Sequence, residues 1–300
     1  MNVPKRLVTY RLLDFGDGRK LEQVGPYRLD RPSPAAEGTR RSSPEAWTAW
    51  THRFDESNRN WIHRENWATD VMMEASGFVM PLSLTPFGHL GVFPEQMANW
   101  RWLQEVAVPP EGSLGLNLFA YTGASTMAMV ASGTSVAHVD AAKPNVSAAR
   151  FAAEANGWAD RPIRYLVDDA VSFTRRESRR GKTYRTIVLD PPSYGHGPKS
   201  KSAPSSTWRL QRDLWPLLES CLSLLPDEGY RVVVTGHSPS VDQDDVASWF
   251  EAQNRSRSHG ARAEGTIERG RLTIPDAHGR SLDAGFFARW WNDSSRILDT

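Results

Sequence analysis

Asp190-Pro191-Pro192-Ser193-Tyr194 is the segment of this 300-residue chain whose residue types say most about chemistry. It follows a short apolar run. Two consecutive prolines remove two backbone donors and fix two φ angles, so the chain leaves that run along a rigid, extended path with the Asp190 carboxylate and nearby carbonyls held in place. Such a turn presents acceptors to a planar substrate, and Tyr194 adds a ring face for stacking. Three earlier apolar runs end in comparable residues. Leu114 to Phe119 leads into Ala120-Tyr121-Thr122-Gly123, Ser135 to Asp140 ends on an acid, and Ile163 to Val167 leads to Asp168-Asp169. A glycine at a strand-to-helix turn lets a ligand approach the backbone, and an acid at the next strand tip can accept hydrogen bonds from both ribose hydroxyls. Together they suit a nucleoside-containing cofactor.

That cofactor should lack a diphosphate. Tyr121-Thr-Gly-Ala-Ser-Thr126 holds a single glycine where the dinucleotide fingerprint needs three, and no Gly-x-x-x-x-Gly-Lys-Ser loop occurs. A nicotinamide-dependent dehydrogenase is correspondingly disfavoured.

The elements that must position these residues change character along the chain. Leu7 to Asp30 alternates short apolar runs with turns such as Asp14-Phe-Gly-Asp-Gly18, reading as small antiparallel strands. Arg31 to Pro44, rich in Pro, Ser and Arg, reads as a mobile loop or linker. A helix is expected around Pro44 to Phe54, a strand at Gly77 to Pro81 and a helix opening near Pro94. Residues 1–105 are thus expected to form a small α+β module, a candidate substrate-recognition element. Beyond Pro109-Pro110 short apolar runs alternate with helical segments, which predicts a doubly wound α/β domain over 106–300 with a mostly parallel sheet buried on both faces. Residues 265–274 and 284–291, joined by a polar turn at His278-Gly-Arg280, are expected to close it as an antiparallel hairpin.

Composition narrows the classes further. A single cysteine, Cys221, excludes a disulfide scaffold and a structural zinc site, and no metal is expected. A formal charge of +1 excludes a polybasic nucleic-acid coat while leaving local basic faces open. Such faces are Arg175-Arg-Glu-Ser-Arg-Arg-Gly-Lys182 and the stretch from Arg255 to Arg271. No stretch approaches the ~20 apolar residues of a membrane helix, and Met1 to Arg11 lacks a secretory run, so a cytoplasmic protein is expected. The 12 tryptophans read mainly as packing residues.

Leu116-Asn-Leu-Phe-Ala-Tyr-Thr-Gly123, Val139-Asp140, Asn156, Val167-Asp-Asp-Ala170 and Val188-Leu-Asp-Pro-Pro-Ser-Tyr194, in this order and spacing, resemble the class I S-adenosylmethionine-dependent methyltransferases related to the bacterial 23S rRNA cytosine-C5 enzymes. The resemblance covers about 85–240 and includes Thr85-Pro-Phe-Gly-His-Leu-Gly-Val-Phe-Pro-Glu-Gln96. It implies a Rossmann-like methyltransferase fold with S-adenosylmethionine as cofactor. Phe119, Tyr121, Thr122 and Gly123 would lie against its methionine part, Asp140 on the ribose and Asp169 near the adenine amine. Asp190, Pro191, Pro192 and Tyr194 would face the target base, with Asp190 also counted among the cofactor-binding residues. RNA, in the family ribosomal, is the implied partner.

Two departures from that family shape the mechanism. Residues 1–45 show no counterpart of its separate RNA-binding module. Cytosine C5 also needs a thiolate attacking C6 before it can accept a methyl group. In the family that cysteine follows the strand corresponding to Tyr230 to Val234, where this chain reads Val234-Thr-Gly-His-Ser238. Cys221 lies instead in Leu217-Leu-Glu-Ser-Cys-Leu-Ser-Leu-Leu225, a helical apolar stretch in which a buried, inert thiol is expected. The expected reaction is therefore direct transfer to a nitrogen or oxygen, which demands near-attack positioning. His237 is placed to act as general base. His196 is expected in a mobile lid over the substrate, where Lys199 and Lys201 would touch phosphates. Two other readings keep the fold: a small-molecule acceptor, or a cofactor- or RNA-binding protein without catalysis.

Overall fold

Short apolar runs broken by tight turns build the first of two compact units, Met1–Ala98 with Leu272–Ala284. The computed structural model describes residues 6–105, 112–198, 207–257 and 264–292. The strands of this unit are β1 (Arg6–Val8), β2 (Tyr10–Gly16), β3 (Arg19–Val24), β4 (Tyr27–Pro32), β5 (His52–Asp55), β6 (Asn60–His63), β7 (Val71–Ala75) and β8 (Phe78–Pro81). They form a five-stranded sheet in the order β2-β3-β4-β5-β6 and a three-stranded sheet, β1-β7-β8. Asp17 and Gly18 both have positive φ and join β2 to β3, as an Asp-Gly hairpin turn requires.

Three expectations for this unit change. Among the described residues its helical content before Met97 is confined to 3-10 turns at Pro34–Ala36, Pro44–Ala49 and Pro94–Gln96, so it is a β unit. The helix expected to reach Phe54 stops at Ala49, and His52–Asp55 pairs with β4 and β6. Nor is 31–44 a loose linker. The buried carboxylate of Asp14 accepts hydrogen bonds from the amides of Phe15 (2.8 Å), Ser42 (3.1 Å) and Ser43 (3.0 Å), and from Trp47 Nε1 (2.8 Å). Arg280 completes the set at 2.6 Å. One acid thereby ties down a segment whose composition alone suggested mobility.

The second unit, Asn99–Arg271 with Gly285–Thr300, carries the parallel sheet. Its elements are α1 (Met97–Gln104), β9 (Leu114–Leu118), α2 (Ala124–Ala131), β10 (Ser135–Asp140), α3 (Lys143–Ala155), β11 (Ile163–Val167), α4 (Ala170–Arg179), β12 (Thr186–Leu189), β13 (Tyr194–His196), β14 (Thr207–Arg209), α5 (Leu210–Leu222), β15 (Tyr230–Gly236), α6 (Gln243–Arg257), β16 (Thr266–Pro275) and β17 (Ser281–Asn292). The sheet order is β11-β10-β9-β12-β15-β17-β16, parallel from β11 to β15, with β17 antiparallel to β15. This is the expected doubly wound fold with its closing hairpin. Every residue of β12 and β15 is buried, as a strand covered on both faces demands. The tip of the hairpin, 272–284, belongs to the first unit, where Ile274 and Leu282 pack with Leu12, Phe15 and Ala36. Tyr194–His196 pairs antiparallel with Thr207–Arg209.

Candidate functional site

The strand order reverses between β9 and β12, and ligands of open parallel sheets bind beyond the carboxyl ends at such a point. Leu118 of β9 stands opposite Leu189 of β12. The segments that follow them, Phe119–Gly123 and Asp190–Tyr194, therefore leave the sheet side by side. Leu118 also stands opposite Val139 of β10, which brings Asp140 to the other flank of the Phe119 loop.

The Phe119 loop is contorted. Phe119 and Tyr121 have φ of +55° and +48°, left-handed values that cost a side-chain-bearing residue about 1–2 kcal/mol. Asp140 holds the turn: its Oδ2 accepts from the Tyr121 amide (2.8 Å), and its Oδ1 from the Ala142 amide (2.8 Å) and Asn145 Nδ2 (3.0 Å). Only 8% of Asp140 is exposed, and burial raises its pKa against the opposing effect of these hydrogen bonds. Gly123 follows at φ +93°, where a Cβ would stand 2.9 Å from Ala149 Cβ on α3. Beneath lies a polar chain that sequence reading missed. Asn117 Nδ2 donates to Thr126 Oγ1 (2.9 Å), which contacts Nδ1 of fully buried His138 (2.9 Å). Burial, with Arg150 nearby, lowers the His138 pKa to about 3 and keeps the imidazole neutral.

On the other side, Asp190 Oδ1 accepts from the hydroxyl of Thr235 at 2.7 Å. Burial raises the Asp190 pKa, while that hydrogen bond and the nearby charge of His237 act in the opposite direction. His237 itself is exposed just past the end of β15. Pro191 is buried, and the Pro192 carbonyl accepts from Trp208 Nε1 at 2.7 Å. Tyr194 is 54% exposed and meets the ring of His196 edge-on at 5.1 Å. Thus Phe119, Tyr121, Thr122, Gly123, Asp140 and Asp190 to Tyr194 gather at one crevice, with His237 beside Asp190. Asp169 sits at the tip of β11, where its side chain caps α4 through the Ser172 amide (2.8 Å).

Thr235 and Trp208 were missed because strand pairing between segments distant in the chain brings each to its partner, out of reach of any local spacing. Cys221 is 1% exposed inside α5, and burial pushes its thiol pKa far up. The basic run begins in α4, which starts beside Asp169 at the strand tips and leads back towards β12. Its Arg176 and Arg180 pair with Asp168 and Glu177. Arg257, ending α6, caps Pro226 ahead of β15. Lys199 and Lys201 lie outside the described residues. Among the described residues no cluster could hold a metal ion, and no helix is long and apolar enough to cross a membrane.

The donor set suits a nucleoside without phosphates. Carboxylates at the tips of β10, β11 and β12 accept from hydroxyls and amines and repel phosphate. S-adenosylmethionine, with ribose hydroxyls, an adenine amine and an amino-acid tail, fits that set.

Comparison with known proteins agrees. The S-adenosylmethionine-dependent methyltransferase family profile matches residues 35–225. The crystal structure of a SAM-dependent methyltransferase from Agrobacterium tumefaciens is similar over 96% of this chain and 94% of its own, with TM-score 0.83 and 30% identity. Ribosomal RNA large subunit methyltransferase I of Shewanella amazonensis is 25% identical over 66% of this chain, and methyltransferase K/L of Shewanella frigidimarina is 26% identical over 53%. The chain spans 51% of the former's length and 21% of the latter's.

Proposed function

This chain belongs to the S-adenosylmethionine-dependent methyltransferase family, and from that premise we propose that it methylates a base of RNA at a nitrogen, by direct transfer without a cysteine adduct. The observation that carries this reading is the Asp190 carboxylate, held by Thr235 at the head of the Pro191-Pro192 turn, while the chain's one thiol is sealed in α5. A C5 mechanism needs a nucleophilic thiolate at the acceptor, and a nitrogen does not. The relatives that act on large-subunit ribosomal RNA support RNA as the acceptor class.

When bound, the cofactor supplies an electrophilic methyl group on a sulfonium. Phe119, Tyr121, Thr122 and Gly123 would hold its methionine end, Asp140 would accept from the ribose hydroxyls, and Asp169 would face the adenine amine. Tyr194 stacks on the acceptor base, and Asp190 accepts a hydrogen bond from one of its N–H groups, which aims the nitrogen lone pair. An imidazole nitrogen of exposed His237 takes the proton released after transfer. The N-terminal β unit contributes to RNA recognition, and the reaction runs in the cytoplasm.

Tritium transfer from labelled S-adenosylmethionine into total RNA, followed by nucleoside analysis, tests this. An N-methylated nucleoside is expected. Asp190→Asn should lose about 100-fold or more in transfer while binding S-adenosylhomocysteine normally, as for a lost interaction made with the acceptor alone. Asp140→Ala should weaken calorimetric binding of S-adenosylhomocysteine by about ten-fold or more, the scale of a lost hydrogen bond to a charged group. Label in 5-methylcytidine, only in small metabolites, or nowhere would each reject the reading.

A further inference from the structure

Trp208 belongs to neither segment of the crevice and touches both. Its ring lies 4.8 Å from that of Phe119, tilted by 55°, and its Nε1 donates to the Pro192 carbonyl at 2.7 Å. Only 6% of it is exposed. Strand pairing sets it there: Trp208 of β14 stands opposite Gly195 of β13, and a Cβ at Gly195 would approach Pro192 Cγ to 3.4 Å. The ribbon therefore lies flat against the turn. On the other flank, Phe119 occupies a left-handed backbone conformation, which persists only where its surroundings over-determine it.

We propose that Trp208 is a positioning residue that couples the cofactor loop to the acceptor turn. Pinning the Phe119 ring fixes the indole, the indole fixes the Pro192 carbonyl, and the short Pro-Pro link carries that constraint to Asp190. Pro192 cannot swivel freely about its own N–Cα bond, so a restraint on its carbonyl is transmitted and not absorbed. The coupling rests on the reading above, in which cofactor lies against Phe119–Gly123 and acceptor faces Asp190–Tyr194.

The full chain labelled with 15N-tryptophan reports on this directly. Trp208→Phe assigns the indole signal by its loss. Saturation with S-adenosylhomocysteine, monitored in parallel by calorimetry, should shift that signal, and Phe119→Leu at saturation should at least halve the shift. Trp208→Phe should bind S-adenosylhomocysteine within about three-fold of wild type yet lose about ten-fold in kcat for transfer to total RNA, the scale of one buried hydrogen bond. A Trp208 signal that stays put while calorimetry shows binding overturns the coupling. So does a Trp208→Phe variant equal to wild type in both binding and transfer. A shifted signal with no transfer to RNA upholds the coupling and rejects the RNA acceptor. Absence of S-adenosylhomocysteine binding rejects the site reading and the coupling with it.

Discussion

Thr235 Oγ1 donates to Asp190 Oδ1 at 2.7 Å across the adjoining ends of β15 and β12. The pairing of Val234 with Leu189 one residue earlier puts the two side by side. Thr235 is almost fully buried, so its hydroxyl cannot exchange this partner for water.

Thr235→Val keeps the shape and removes the donor. Burial already raises the Asp190 pKa, and losing a hydrogen bond to the charged form raises it further. If the carboxylate form accepts from the acceptor, the acid limb of the pH profile of kcat/KM moves to higher pH. Transfer near that limb then falls by about ten-fold per pKa unit. Thr235→Ser restores the profile, and S-adenosylhomocysteine affinity stays constant. An unmoved acid limb in the valine variant would contradict this role.

Gly123→Ala meets two obstacles at once, a φ of +93° and the Cβ of Ala149 at 2.9 Å. The conformational cost alone is about 1–2 kcal/mol. Either the α2–α3 contact opens or the Tyr121 turn shifts, so both the melting temperature and S-adenosylhomocysteine affinity should drop. Calorimetry and thermal denaturation of the same sample check both. A variant matching wild type in each would show that the turn has slack.

Acid should destabilise the chain in two stages. His138, ordinarily near 6.5, is lowered to about 3 by burial, so between those values the unfolded chain binds a proton that the folded chain refuses. Stability therefore falls as pH drops through that window. Glu22 is lowered from 4.5 to about 2: burial opposes its charge, but Arg31 and Lys20 outweigh it. Its contribution is intact above pH 4.5 and is lost as pH falls towards 2. Urea midpoints measured across this range should decline from about pH 6.5 downwards. His138→Gln should flatten the upper part of the curve. A wild-type midpoint constant between pH 6.5 and 4 would contradict the buried neutral imidazole.

Asp14→Ala removes the acceptor shared by Phe15, Ser42, Ser43, Trp47 and Arg280. Burial disfavours its charge, but these hydrogen bonds hold its carboxyl below the ordinary range. Several donors lose their partner together, with a cost of about 3–5 kcal/mol. Limited trypsin digestion should cut the variant after Arg40 or Arg41, in a segment the wild type protects. Equal protection in both would show that packing alone holds 31–44.

Residues that act through their immediate neighbours were legible before any fold was known. Apolar runs in β9, β10, β12 and β15, the acids at their tips, the rigid Pro191-Pro192 exit and the apolar helix around Cys221 are each set by a few consecutive side chains. Two misreadings have a common cause. Arg31 to Pro44 has a linker's composition and Pro44 to Phe54 a helix's opening, yet partners distant in the chain decide both: Asp14 ties down the first, and the pairing of His52–Asp55 with β4 and β6 ends the second.

By itself, then, the sequence determined a doubly wound sheet, acids at its strand tips without a phosphate-cradling glycine motif, and a single cysteine set in an apolar helix. Only the tertiary structure decided which side chains meet there. Thr235 reaches Asp190 because β15 docks beside β12, and Trp208 reaches both Phe119 and Pro192 because a two-stranded ribbon folds back over the turn. Such contacts arise from strand order and register, which minimise buried unpaired polar groups over the whole sheet. No local spacing records them.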